Sequence, residues 1–568
     1  MKYLLTLSIG PVQDFIAAAR KMGDLWCGSE LLSDIACAAA RKAQESGATL
    51  IFPAPTLIAR GSNVANILLM ETAEGADPKK LADDIKTTAR AAWKAHAGKA
   101  FAAAGNQIRT STWDAQVDDV LELFAAWVPC TEKNYTNDRR AVMQLLAARK
   151  MTRNFNPAKG EAKVLKSSLD GLRETVLQEP GATRTVQQLR LSTGEQLDCV
   201  GVVKRLRSKE NRFPSIPTIA AGQWLRDLKL KEAKDAKTCD QLKELFKTLH
   251  EMQVITSVPK EHQAILADWA YDAEPLYVSR HDAIRKENPE VDAERLDTTL
   301  KQIAKLVGEA SRKHGIHLDT YYCIIKADGD RMGEALDKMK NYQEHQNFSK
   351  KLATFADSVP TTLRNHNGVC IYSGGDDILA FVPVQDAIQC CAALADTFKT
   401  EIGNTLSVGM AIVHIHEPLS IVREYAMDAE HNAKGSGTDT PRNGFAIHLH
   451  ARGTDSASVR GQWSTNLHER MQYWQQLFAK EVLPSNLPYA CRRDLADLKG
   501  WQDATELSQA IPQRLSRVLF HKDIKWDRAA GLEERVNNIV RETTTREKLD
   551  GLIEEWIISR FLAAGGDR

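Results

Sequence analysis

Two kinds of apolar spacing alternate along this chain. Short runs rich in β-branched and aromatic residues, the signature of strands, stand at residues 3–9, 49–53, 320–325, 369–373, 378–382, 406–414 and 445–449. Apolar residues recurring every three or four positions predict helices over 12–20, 81–104, 386–402 and 419–434. Residues 109–128, with Trp113 and Trp127, read as one more helical stretch. Residues 160–310 are largely helical and carry basic stretches such as Lys204-Arg205-Leu206-Arg207. From Ser456 to Arg568 the pattern is helical throughout, with apolar stripes in Met471 to Phe478, Leu515 to Phe520 and Leu549 to Phe561. A chain of 568 residues is expected to fold as about three or four domains.

Chemistry concentrates in the run Val369 to Val382, V-C-I-Y-S-G-G-D-D-I-L-A-F-V. Two strand-forming halves flank Gly374-Gly375, which let the chain reverse, and Asp376 and Asp377 stand at the tip. Neighbouring strand residues point to opposite faces, so one of the two aspartates would lead as a ligand unless the turn rotates the other inward. Carboxylates on a stiff tip suit hard cations such as Mg²⁺. Alone, the four letters also describe an ordinary polar turn. The partner is T-Y-Y-C-I-I-K-A-D-G-D-R-M-G, residues 320–333, where a strand delivers Asp328 and Asp330 at its end and a helix starts near Arg331. This pairing resembles the palm of polymerases and nucleotide cyclases. There Asp328 and Asp376 or Asp377 would hold two metal ions that activate a 3′-hydroxyl and steady the leaving pyrophosphate. A second candidate is the Gly10-Pro11 turn, whose free N–H groups at a helix start suit a phosphate, although an ordinary strand-to-helix junction looks the same.

Composition narrows the setting. Lys plus Arg number 75 against 74 Asp plus Glu, a net charge of +1, so no global nucleic-acid signature exists and polyanions must meet local patches. Ten scattered cysteines form no Cys-x-x-Cys pair and fit small buried hydrophobes in a reducing compartment. No apolar run approaches a membrane span, so a soluble, cytoplasmic protein without membrane partners is expected.

The opening S-I-G-P-V-Q-D-F-I-A-A-A-R-K-M-G-D-L-W-C-G-S-E-L-L-S, residues 8–33, resembles the start of the large subunit of Cmr-type (type III-B) CRISPR effector complexes. L-I-F-P at 50–53, A-A-R-K-M-T-R-N-F at 147–155, F-P-S at 213–215, K-A-D-G-D-R-M-G at 326–333 and S-G-G-D-D at 373–377 follow in the order of that family. The resemblance implies an α+β fold of two ferredoxin-like, adenylyl-cyclase or polymerase palm domains, at 1–160 and 311–455. A mostly helical middle domain would occupy 161–310 and a C-terminal helical bundle 456–568. It implies a metal-dependent nucleotidyltransferase with Mg²⁺ or Mn²⁺ at Asp328, Asp376 and Asp377, and ATP as substrate. Gly10, Pro11 and Gln13 would help hold a second nucleotide, Ser373, Gly374 and Gly375 would shape the nucleotide floor, and Lys434 would reach the triphosphate. Lys434 also fits a lysine favoured by a helix C-terminus. The implied product is a cyclic oligoadenylate made on target-RNA binding. Adenylyl transfer to S-adenosylmethionine, a catalytically silent scaffold and a diguanylate-type cyclase are the alternatives, though Ile378 stands where that last class has Phe. Implied partners are the other Cmr-type backbone and small subunits with guide and target RNA, and Arg492, Arg493 and Lys522 are candidate contacts.

Two departures stand out. The paired Cys-x-x-Cys positions of many relatives read Ser167, Asp170, Asp198 and Gly201 here, so zinc is not expected. The palm strand begins at Met1, which leaves no room for the His-Asp nuclease domain of many relatives, and His281-Asp282 reads as a surface pair; no intrinsic DNase is expected.

Overall fold

The computed structural model describes residues 1–60, 64–130, 134–152, 160, 163–178, 189, 191–192, 194–210, 213–232, 237–435, 442–453, 456–494, 496, 498 and 504–564. Residues 153–155 of the 147–155 motif lie outside them. Two sheets organise the described residues. The first holds β1 (Tyr3–Gly10), β2 (Thr49–Phe52), β3 (Ile67–Glu71) and β4 (Glu122–Pro129) in the order β2-β3-β1-β4, every pair antiparallel. The second holds β5 (Tyr321–Gly329), β6 (Val369–Ser373), β7 (Ile378–Val382), β8 (Leu406–His414), β9 (Gly444–His450) and β10 (Ala457–Gln462) in the order β10-β9-β8-β5-β7-β6. With β5 to β8 in place of β1 to β4, the strand order repeats. Each unit runs strand, helix, two hairpin strands, helix, and a fourth strand beside the first. The chain is therefore α+β with two ferredoxin-like palms, a duplication invisible in the residue letters.

The crossover helices are Met22–Glu45 and Pro78–Ala104 in the first palm, Tyr342–Asn365 and Ala387–Ile402 in the second. Pro78–Ala104 begins where the Asp77 side chain accepts the Lys79 amide and Pro78 takes the first turn. Tyr342–Asn365 begins where Asn341 accepts the Glu344 amide. Alternation along β5 sets the layers of the second palm. Cys323, Ile325 and Ala327 are buried with the two crossover helices. Tyr322 and Ile324 face Leu419–Lys434 and the middle helices Ile216–Lys231 and Ala293–His314. Burial of an isoleucine such as Ile324 or Ile325 contributes roughly 1.5–3 kcal/mol.

The palms grip each other reciprocally. Met22–Glu45 packs on β6, and Tyr342–Asn365 packs on β2. The buried Ser349 hydroxyl accepts the Ala54 amide at 2.9 Å, Tyr135 Oη meets His345 Nδ1 at 2.7 Å, and Arg139 pairs with Asp337. Each palm thus presents its first crossover helix to the other's second strand.

Several expectations change. Residues 109–128 are a helix, Thr110–Asp119, followed by β4; Phe124, Trp127 and Val128 favour a pleated surface, and pairing with β1 outweighs the helix propensity of Ala125-Ala126. The helix expected over 12–20 divides into Gln13–Ala17 and the long one from Met22. β9 does not close the second sheet, because β10 follows with Ala457 and Val459 buried and Ser458 and Arg460 exposed; the sheet runs past residue 455 to Gln462. The basic run at 204–207 is internal: Lys204 and Arg205 are buried, Arg205 pairs with Asp24 and Glu195, and Arg207 with Glu30 and Asp34. His281 is no surface residue, since its ring is buried against the Pro275 carbonyl, while Asp282 is exposed and pairs with Arg285. Around Gly201 an added Cβ would meet Leu169 Cδ1 at 2.9 Å, Asp198 Oδ1 at 3.0 Å and Leu197 Cδ2 at 3.1 Å. Leucines fill that region. Seven of the cysteines are buried, as expected of small hydrophobes.

Beyond β10, helices Leu467–Ala479, Ala504–Phe520 and Arg546–Ala563 continue the core of the second palm, with Trp474 and Trp556 edge to face at 5.8 Å. Arg492 is held by Glu554. No helix among the described residues is long and apolar enough to cross a membrane.

Candidate active site

The site is built where β5 ends against the β6–β7 hairpin. Gly329 N donates to the Asp376 carbonyl at 3.1 Å, and a Cβ on Gly329 would lie 2.8 Å from Asp376 Cβ, so Asp328 and Asp376 stand on touching backbones. The tip is closed by Gly374 N donating to the Asp377 carbonyl at 2.9 Å, and Gly375 takes φ +102°, which side chains disfavour. A bulge at Ile371 shifts the β6–β7 register so that Tyr372 stands opposite Leu379.

The aspartates separate into distinct environments. Burial first, and the Asp328 carboxylate next, raise Asp376 to about 6, well above an ordinary aspartate. Asp328 Oδ2 is 2.6 Å from Lys434 Nζ, and Lys434 also pairs with buried Glu430 one helical turn back. Burial pulls the Lys434 ammonium down, but hydrogen bonds to Asp328 and Glu430 outweigh it and hold the group above its ordinary value. Asp377 Oδ1 accepts from Lys326 Nζ at 2.7 Å. Asp330 is buried and turned away, accepting Thr405 Oγ1 and Ser407 Oγ at 2.7 Å and the Asn443 amide at 2.9 Å. It fixes loops around the site.

Among Asp328, Asp376, Asp377, Glu430, Lys326 and Lys434, four carboxylates face two ammonium groups. Two negative charges stay uncompensated when all are ionised, and oxygen donors with such a residue fit a hard divalent cation. No group of three or more His, Cys, Asp or Glu side chains gathers for metal binding among the described residues. A cation held by Asp328 and Asp376 would complete its shell with water and phosphate oxygens, the usual habit of Mg²⁺.

Tyr372 was missed from sequence. Burial, then the Asp377, Asp376 and Asp328 carboxylates, push its hydroxyl well up, and a Cβ on Gly374 would overlap Tyr372 Oη at 1.7 Å. The ring therefore lies over Gly374 beside all three acids. Its signal was a tyrosine two residues before the glycine pair, in a strand whose alternation a bulge resets.

A cavity of about 850 Å³ runs beside this tip between the palms. Val12, Ile16, Trp26 and Asn66 line it from the first palm, Phe213 and His262 from the middle region, and Tyr372, Ser373 and Gly374 from the hairpin. Asp328, Asp376, Asp377 and Lys434 do not line it, so the charged cluster and the cavity adjoin through Tyr372 and Gly374. Gly10, Pro11 and Gln13 do not line it either; the Gly10–Gln13 turn contributes through Val12. The helix after that turn has five residues and little dipole to offer a phosphate. Its carbonyl end is clamped by buried Lys204, which reaches Phe15 O and Ala18 O, and by Arg423, 3.0 Å from Ala17 O. The Ser373 hydroxyl is buried and donates to Ala356 O at 3.2 Å, so only its backbone remains for a ligand.

Register places the two palms in correspondence. Leu5, Leu7 and Ile9 pack on their crossover helices as Ile325 and Ala327 do, and Ile9 N donates to Asn66 O as Gly329 N does to Asp376 O, so Ser8 takes the place of Asp328, and Asn66 and Ile67 the places of Asp376 and Asp377. The first palm lacks the acids.

Residues 321–446 match the family described as Cas10/Cmr2, second palm domain, and residues 4–98 match CRISPR-associated protein Cmr2, N-terminal. These two stretches are similar to the Cas10/Cmr2 family. The CRISPR system Cmr subunit Cmr2 of Pyrococcus furiosus is 27% identical over 179 residues, an alignment covering 26% of this chain and a fifth of that relative. Two solved structures share the fold across this whole chain at 12% identity and a TM-score of 0.65. They are a type III-B Cmr-beta complex in the apo state, matched over 82% of its chain, and Cmr-beta bound to cognate target RNA, matched over 83%.

Proposed function

We propose that this chain is a metal-dependent nucleotidyltransferase that joins ATP units into a cyclic oligoadenylate. It would act within a Cmr-type complex of backbone and small subunits that uses guide RNA to capture target RNA. The observation that carries the reading is the Asp328–Asp376 pair on touching backbones, with Lys434 on one side and an inter-palm cavity on the other. Asp328 and Asp376 would hold Mg²⁺ or Mn²⁺, which when bound polarises the α-phosphate and lowers the pKa of the attacking 3′-hydroxyl. Lys434 would leave Asp328 for the triphosphate, with Glu430 keeping it in reach. The cavity would seat a base against Tyr372, Trp26 and Phe213, excluding water from the reacting ends. The first palm, with Ser8, Asn66 and Ile67 where acids would stand, would bind a nucleotide without catalysing transfer.

The test is mass spectrometry of products after the assembled complex meets target RNA, ATP and Mg²⁺, with and without S-adenosylmethionine. Oligoadenylates in both arms support the reading. An adenylylated S-adenosylmethionine would replace the acceptor, and no adenylate product in any arm would leave the scaffold reading.

A further inference from the structure

The two hairpin aspartates have different partners, and the partner of Asp377 is a lysine on the opposing strand. Lys326 lies two residues before Asp328 on β5, on the same face one pleat away, so its ammonium projects toward the acids. It is partly exposed at 21%, and its Nζ sits 2.7 Å from Asp377 Oδ1. Lys434 makes the matching contact to Asp328 from the other flank, at 2.6 Å. The Asp328–Asp376 pair is thus bracketed by two ammonium groups, each tied back to a carboxylate.

We infer that Lys326 is a second phosphate-binding cation of this site and that Asp377 is its positioning residue, leaving metal binding to Asp328 and Asp376. The inference rests on the nucleotidyltransferase reading above. A polyphosphate entering a cluster with excess negative charge needs cations on both sides of the carboxylates. Lys434 supplies one side and Lys326 the other. Asp377 holds the flexible lysine stem over the pair, because an unpaired ammonium would otherwise sample many rotamers. In the first palm the position of Lys326 is Thr6, and that of Asp377 is Ile67: cation and anchor are absent together.

The test measures ATP binding to the full chain by calorimetry, first in EDTA and then over a Mg²⁺ titration, for wild type, Lys326→Met, Lys326→Arg, Asp377→Asn and Asp376→Asn. A cooperative melting transition for each variant establishes that it folds. Lys326→Met should weaken metal-free ATP binding about tenfold, and Lys326→Arg should restore most of it. Asp376→Asn should raise the Mg²⁺ midpoint at least tenfold, whereas Asp377→Asn should leave it within about twofold. A midpoint shift in Asp377→Asn as large as in Asp376→Asn, or unchanged metal-free binding in Lys326→Met, overturns the inference while nucleotide binding stands. Failure of the wild type to bind ATP with or without Mg²⁺ overturns the nucleotide reading itself, and this inference with it.

Discussion

At the scale of single residues, the Asp376 charge carries a cost that a proton or a bound cation would relieve. Burial and the Asp328 charge raise it to about 6 in the folded chain, against an unfolded value near 3.8. The native state therefore binds more protons between about pH 4 and 6, and in metal-free buffer stability falls as pH rises through that window. Asp376→Asn removes the charge and should stabilise the metal-free protein by roughly 2–3 kcal/mol at pH 7, a gain that vanishes near pH 4. Denaturant unfolding at several pH values measures this, and parallel curves for the two proteins would contradict it. The acids themselves were legible in sequence, because a strand end with Asp328 and a Gly-Gly-Asp-Asp hairpin have few other uses together. Tyr372 was not, since a bulge decides where it points, nor were the lysine partners, since Lys326–Asp377 and Lys434–Asp328 join residues 51 and 106 positions apart.

At the scale of elements, close packing aims Lys434. Gly409 of β8 lies under helix Leu419–Lys434 so closely that a Cβ would come within 2.1 Å of Glu430 N and 2.4 Å of Ala429 C. Only glycine permits that approach, and the contact sits one turn before Lys434. Gly409→Ala should destabilise the chain by about 2 kcal/mol or more and weaken ATP binding by displacing Lys434. Thermal unfolding with a binding isotherm checks both, and an unchanged melting temperature would contradict the packing described. The strands at 3–9, 369–373, 378–382 and 406–414 were readable from β-branched and aromatic runs. β4 was not, because Ala125-Ala126 sit in a segment that follows a true helix without a Gly or Pro break, and only pairing with β1 makes it a strand. β10 was hidden for a similar reason: A-S-V-R-G-Q alternates, but with few apolar residues, and it borrows its order from β9.

Across the whole molecule, the repeat of strand order is the feature that residue letters concealed. Two palms with the same topology can lack any common motif, because ferredoxin-like order depends on burial pattern and loop length, and the Asp328–Asp376 pair has Ser8 and Asn66 as its counterparts. The reciprocal contact of helix Met22–Glu45 with β6 and helix Tyr342–Asn365 with β2 sets the cavity between them. Ser349→Ala leaves the buried Ala54 amide without its acceptor and should cost about 1–3 kcal/mol. Unfolding followed by tryptophan fluorescence tests this, and a loss below about 0.5 kcal/mol would mean that water or a shifted backbone replaces the bond.

The proposed phosphoryl transfer rests on the carboxylate pair Asp328 and Asp376. Its most direct measurement is pyrophosphate released per ATP by the assembled, target-bound complex in Mg²⁺, compared among wild type, Asp328→Ala and Asp376→Ala. Release should depend on the divalent cation and fall about 100-fold or more in either variant while assembly is kept. Release that persists undiminished in both variants would contradict it.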